Sequence, residues 1–194
     1  GLSERVDVSQ YRLSLHLTMA FIILGLTFYT LVSNLLENKL INNNSIFTKK
    51  YKTLLILLFI FICFQISYGA FVSGTHSGLL YNTWPLYNGN ILPFIENTQI
   101  RWIINFFENG EYIIFIHRTF AMIILSLLLY LNYSIIINRR INSYYPVIIF
   151  FNITFILQII LGVSMTYLNI PWHLALLHQG NSILVFLLSL FMYL

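Results

Sequence analysis

Charge and thiols are what this sequence has least of. Only 8% of its 194 residues are charged and 58% are hydrophobic, against about 25% charged in soluble globular domains. So few charges cannot clothe a water-facing surface, and the chain is expected to be an integral membrane protein. A single cysteine, Cys63, lies inside an apolar run, which excludes an intrachain disulfide, a cysteine-based zinc site and an iron–sulfur cluster. Six acidic residues stand against ten Lys and Arg; this small surplus speaks of membrane topology, and no nucleic-acid role is expected. The first residues, GLSERVDVSQ, begin without Met and lack the basic start and apolar core of a signal peptide. The expectation is a fragment of a longer protein.

What is present is apolar length. Crossing about 30 Å of hydrocarbon takes roughly 20 residues of helix, and five runs qualify: Tyr11 to Ser33, Thr53 to Val72, Tyr112 to Ile137, Pro146 to Leu168 and His173 to Leu194. Pro146 and Pro171 fall where a helix start or a preceding turn tolerates them. The fold class is therefore all-α, with five transmembrane helices.

The connections alternate in charge. Lys39, Lys49, Lys50 and Lys52 cluster between the first two runs, and Arg139 and Arg140 between the third and fourth. The long connection between the second and third carries Glu96, Glu108 and Glu111 against a single Arg101. The positive-inside rule puts the basic loops on the cytoplasmic or matrix side. His16, His117 and His178 then lie near the starts of three helices that all begin on the outer side, with His76 and His173 in connections on that side. All five histidines share one layer.

A short motif recurs. Gln65 to Gly69 reads QISYG and Gln158 to Gly162 reads QIILG, the same QIxxG in two outward-running helices, each followed by an inward-running helix with a histidine near its start. Residues 53–194 thus read as two copies of one hairpin forming a pseudo-twofold four-helix bundle. Residues 37–52 read as a basic inner linker, and 1–36 as a helix outside the bundle. His117 and His178 become symmetry partners.

An ionisable group at membrane depth costs roughly 3 kcal/mol or more unless paired, ligated or near the interface. Two neutral imidazoles facing each other across a bundle are the usual axial ligands of a low-spin haem. Gly69 and Gly162 each remove a side chain one turn from their Gln and make room for a flat ring; Ala121 and Ser182 lie four residues after the two histidines. Arg118, Gln179, Asn181 and Trp172 are candidates for the haem propionates by proximity. A lone histidine near a helix end is more often a snorkelling interfacial residue, which is the reading for His76 and His173; His173 is five residues from His178, about 140° around the helix. His16 alone has no symmetry partner. Tyr81, Trp84, Trp102 and Trp172 read as aromatic belt, and Cys63 as inert packing. Two other classes fit the same residues: a di-histidine b-type cytochrome, which would normally need a second haem layer to cross the membrane, and a haem-free transporter or assembly factor whose histidines relay protons.

Several stretches resemble one family, the haem A synthases of the mitochondrial and alpha-proteobacterial type. RVDVSQYRLSLHL at Arg5 to Leu17 resembles the segment entering that family's fourth membrane helix, and YNTWPL at Tyr81 to Leu86 the core of its long outer loop. FIHRTF at Phe115 to Phe120 resembles its HR motif, and QIILGVSMTYLNIPWHLALLHQ at Gln158 to Gln179 its final helix pair. The resemblance implies an oxidoreductase that converts the C8 methyl of haem O to the formyl of haem A for cytochrome oxidase. It implies a haem b, with its iron, between His117 and His178, with Arg118, Gly69, Gly162 and Gln179 around it, and the substrate haem O near His16 in a half of the family largely absent here. This stretch alone is then catalytically incomplete. The implied partners are haem O and haem A, membrane lipid, an electron donor of ferredoxin or quinol-like type, haem O synthase and cytochrome oxidase assembly factors, and a second copy of the chain. The implied place is the mitochondrial inner membrane or the bacterial cytoplasmic membrane, with the haem layer toward the intermembrane space or periplasm.

Overall fold

A chain with this much apolar sequence must satisfy its backbone internally, because hydrocarbon offers no hydrogen bonds. The computed structural model meets that demand with helices; it describes residues 8–37, 49–93, 102–138 and 145–193. In order these are α1 (Gln10–Glu37), α2 (Lys49–Gly74), a short 3-10 turn at Ser77–Leu79, α3 (Trp102–Glu108), α4 (Gly110–Asn138), α5 (Tyr145–Tyr167) and α6 (Trp172–Tyr193). Among the described residues no strand forms beyond an isolated pairing of Tyr87 with Asn90. Five helices are long and apolar enough to cross a membrane: Gln10–Leu35, Tyr51–Gly74, Gly110–Ile137, Pro146–Tyr167 and Trp172–Tyr193. Lys39, Glu96, Arg101, Arg139 and Arg140, which carry much of the charge alternation, lie outside the described residues, as does the Trp102 side chain.

The five expected spans match within a few residues. The differences have local causes. α4 begins at Gly110, because the Asn109 side-chain oxygen accepts from the backbone N–H of Glu111 at 2.9 Å and of Tyr112 at 3.4 Å, an N-cap. The seven-residue α3 before it is too short to display a period in sequence. Between α5 and α6 the chain reverses through Asn169 and Ile170, both in the left-handed region at φ 55° and 54°.

The helices are antiparallel neighbours joined by identifiable contacts. α1 meets α2 where Ser14 Oγ donates to the Ser67 carbonyl at 3.1 Å and Thr18 and Ser67 share a hydroxyl hydrogen bond at 2.9 Å. α2 meets α4 at both ends: Tyr51 donates to the Ser134 carbonyl at 3.0 Å, and Gln65 reaches His117. α4 and α5 exchange a reciprocal amide pair between Asn132 and Asn152 at 3.1 and 2.9 Å. α5 meets α6 through Thr154, Gln158, His178 and Asn181. α6 meets α2 and α1 through Phe186, whose ring lies 5.3 Å from that of Phe59 and 5.1 Å from that of Phe21. These contacts link α2, α4, α5 and α6 in a ring whose α4–α5 side rests on the amide pair, and α1 packs against α2 and α6. Its apolar core is continuous, with Leu58, Ile124, Leu131 and Phe151 nearly or fully inaccessible. The outward faces stay apolar, as with Leu26, Leu129, Ile136 and Ile153, as lipid requires.

One end of the ring is tightly closed. A β-carbon added to Gly74 would meet the Gln10 backbone at 2.7 Å, one on Gly110 would meet Leu80 at 2.9 Å and Ser77 at 3.2 Å, and one on Gly78 would meet Ile170 at 2.6 Å. The start of α1, the end of α2, the 3-10 turn, the start of α4 and the α5–α6 turn therefore converge. This is the end that carries His117 and His178.

Candidate haem-ligand site

His117 lies two turns into α4 and His178 two turns into α6, each facing the preceding helix of its hairpin. The Gln65 amide nitrogen on α2 lies 3.2 Å from His117 Nε2, and the Gln158 amide nitrogen on α5 lies 3.2 Å from His178 Nε2. One turn beyond each glutamine, the same helix face carries a glycine. A β-carbon on Gly69 would stand 3.5 Å from His117 Cε1, and one on Gly162 would stand 3.2 Å from His178 Cε1. The repeat QIxxG therefore acts as a cradle, with Gln against one ring nitrogen and Gly beside the ring, and the missing side chain is needed for clearance at Gly162 but not at Gly69. A β-carbon at Gly162 would crowd the imidazole itself, whereas one at Gly69 would meet its imidazole at ordinary contact distance.

The surroundings of the two rings differ beyond that cradle. Asn181, three residues after His178 and so on the same face of α6, is buried and donates to Gln158 Oε1 at 2.7 Å and to the Thr154 carbonyl at 2.9 Å. Gln158 also donates to the His178 carbonyl at 3.0 Å. The position three residues after His117 is Phe120, and Gln65 Oε1 is buried without a hydrogen-bond partner.

Arg118 points toward the outer loop. Its Nη2 donates to the Tyr81 carbonyl at 3.2 Å and its guanidinium carbon lies 4.8 Å from the centre of the Tyr87 ring, a cation–π contact. Tyr81 donates to Glu111 at 3.3 Å and stands edge-on to Tyr87 at 5.1 Å. Burial pushes the Tyr87 phenol up, with Arg118 pulling the other way, so a neutral ring faces the cation. Tyr167 on α5 donates to the Trp84 carbonyl at 2.8 Å. The loop at residues 81–90 is in this way fastened to both α4 and α5. Tyr81 is correspondingly buried, and not a belt residue, because its carbonyl, hydroxyl and ring are all committed inward.

The remaining expected residues fall elsewhere. His16 is exposed on α1; Ser14 and Thr18, which face α2, are each two residues and about 200° away around the helix, so His16 points away from His117 and His178. Gln179 and His173 are exposed, and Trp172 is 77% exposed, its ring edge-on to His173. His76 is exposed before the 3-10 turn, with φ 54°. Asn181 turns to Gln158 and away from the outer edge. The sequence reading missed Tyr87, which carries no signal, and the partnership of Gln with His, which the repeat of QIxxG contained.

Five buried side-chain polar atoms among the described residues have no hydrogen-bond partner: Gln65 Oε1, Ser77 Oγ, His117 Nδ1, Arg118 Nη1 and His178 Nδ1. All lie at the converging end, and four belong to the site. Each such atom costs about 1–3 kcal/mol, so their concentration fits a place built for a group that brings partners of its own. Among the described residues no three His, Cys, Asp or Glu side chains come together to hold a bare metal ion. Two imidazoles are what an axially ligated haem asks of a protein, and an unpaired guanidinium nitrogen nearby suits a carboxylate.

A family model described as cytochrome oxidase assembly protein matches residues 1–190. The chain is 39% identical over 195 residues to a haem A synthase of Wolbachia pipientis wMel, covering 98% of this chain and 52% of the relative. It is 37% identical to a haem A synthase of the Brugia malayi Wolbachia, covering 96% and 53%. It is 34% identical to one from Brucella ovis, covering 95% and 50%. The chain thus spans about half the length of the curated relatives it matches.

Proposed function

The chain belongs to the COX15-CtaA family of cytochrome oxidase assembly proteins, and from that membership we propose that it is the haem b-holding part of a haem A synthase, with His117 and His178 as the axial ligands. The observation that carries this reading is the twinned cradle, Gln65, Gly69 and His117 on one side and Gln158, Gly162 and His178 on the other, beside the unpaired Nη1 of Arg118. In this reading a pseudo-twofold axis relates the two hairpins, and His117 and His178, one from each, would hold the haem.

When bound, such a haem would be held by His117 and His178 and would supply one-electron redox chemistry. The chain's own residues do the rest. Gln65 and Gln158 set the imidazoles before the group is taken up, Gly162 gives the His178 ring its room against α5, and Arg118 offers Nη1 to a propionate while Nη2 and the ring of Tyr87 hold the guanidinium in place. The loop at residues 81–90 covers that end and excludes water. The apolar core below it keeps the inner half of the bundle dry.

The substrate of the whole enzyme is haem O and its product haem A, with oxidation centred near His16 in company with further helices of a full-length chain. Membrane insertion is set by the five spans; the membrane is the inner mitochondrial or bacterial cytoplasmic one, with the loop at residues 81–90 on the outer side. Expression of the full-length protein with a haem O source, followed by chromatography of the extracted haems, tests the activity. The expected result is haem A or its hydroxylated intermediate. Haem O alone, from a protein that is inserted and folded, removes the enzyme reading.

A further inference from the structure

The two cradles share a geometry but not an anchor, and the difference fixes where protons sit. Amide nitrogen and oxygen are told apart by their partners. Around His178 the partners are unambiguous, because backbone carbonyls only accept. Asn181 places its nitrogen against the Thr154 carbonyl at 2.9 Å, so that nitrogen donates, and its other reach of 2.7 Å must meet the Gln158 oxygen. Gln158 then presents its nitrogen to the His178 carbonyl at 3.0 Å and to the ring Nε2 at 3.2 Å. A nitrogen facing an N–H must accept, so Nε2 carries a lone pair and the ring proton sits on Nδ1.

We propose that Asn181 is a positioning residue that, through Gln158, fixes His178 as the Nδ1–H tautomer with its lone pair on Nε2, whereas His117, whose Gln65 has no such anchor, has no fixed tautomer. Gln65 Oε1 has no partner, so its amide can turn over at no cost in hydrogen bonds, presenting either oxygen or nitrogen to His117. The consequence for ligation rests on the haem reading above; the tautomer itself does not. Iron bound through Nδ1 of His178 would put the ring proton on Nε2, against the Gln158 N–H, donor to donor. The anchored network therefore selects Nε2. It also softens the exchange, since Gln158 keeps the His178 carbonyl and Asn181 after yielding the ring nitrogen, while Gln65 keeps nothing. His178 is the fixed ligand of the pair and His117 the adaptable one.

The test is nitrogen NMR of the full-length protein with 15N-labelled histidine, purified without haem and again with haem in the reduced, diamagnetic state. His178→Ala and His117→Ala assign the signals. The native haem-free protein should show His178 in the Nδ1–H form by about tenfold or more, the worth of one well-made hydrogen bond. Asn181→Leu should bring the two tautomers of His178 to comparable populations and leave the His117 signals unmoved, which a general loosening of the bundle would not do. A native His178 in the Nε2–H form overturns the proposal without any variant, as does a tautomer ratio that Asn181→Leu leaves unchanged. If Asn181→Leu does not fold, Gln158→Leu provides the same comparison. An Nδ1–H His178 in a protein that never takes up haem leaves the tautomer proposal standing and removes the haem reading instead.

Discussion

Gly162 and His178 touch through a missing side chain: a β-carbon on Gly162 would lie 3.2 Å from the His178 ring, closer than ordinary contact, while the matching distance from Gly69 to His117 is 3.5 Å. The two glycines therefore differ in what they tolerate. Alanine gains about 1 kcal/mol of helix propensity over glycine. Gly69→Ala is expected to retain its bound haem and to be neutral or slightly more stable, whereas Gly162→Ala offsets that gain by displacing the ring. Gly162→Val should lower haem per protein several-fold. Pyridine haemochrome content against protein concentration measures this.

The Asn132 and Asn152 amides bond each other in both directions between α4 and α5. Interhelical polar pairs in membranes contribute about 0.6 kcal/mol on average. Asn132→Leu and Asn152→Leu each leave one amide without its partner and should each lower the melting temperature in detergent. The double variant should lose less than the two single losses added. Additive losses would mean the pair is not coupled.

Arg118 fastens the outer loop through the Tyr81 carbonyl and the Tyr87 ring. A partly desolvated cation–π contact is worth about 1–2 kcal/mol. Tyr87→Leu should therefore raise the rate of protease cleavage in residues 81–90 roughly tenfold, and Arg118→Lys should do so less, since lysine keeps the charge but not the planar fork. Cleavage rates equal to the native protein's would show that the loop is held by other contacts.

The charge alternation of the connections predicts that Asn88 and Arg139 lie on opposite sides of the membrane. Single cysteines at these two positions, in a chain with Cys63→Ser, should react with an impermeant maleimide from opposite faces of sealed vesicles. Labelling of both from one face overturns the topology.

Much of this architecture was legible because lipid imposes it. The five spans follow from apolar length alone, and the pairing of α2 with α4 and α5 with α6 follows from the duplicated QIxxG and the histidine after each copy. The part that was not legible is set by contacts with no periodic trace. Tyr81 reads as a belt aromatic until its carbonyl meets Arg118, and Tyr87 has no sequence feature to distinguish it. Asn181 was visible as a polar residue beside a ligand candidate, yet only the Thr154 carbonyl decides that it serves Gln158 and not the outer edge. Seven residues of α3 were too few to declare a helix.

The central claim is that His117 and His178 hold one haem between them. A reduced-minus-oxidised difference spectrum of the purified protein, taken alongside His117→Ala, His178→Ala and His16→Ala, tests it most directly. The account predicts a low-spin b-type band in the native protein that is lost in both His117→Ala and His178→Ala and persists in His16→Ala. A folded protein with no such band, or a band that survives either of the first two substitutions unchanged, contradicts it.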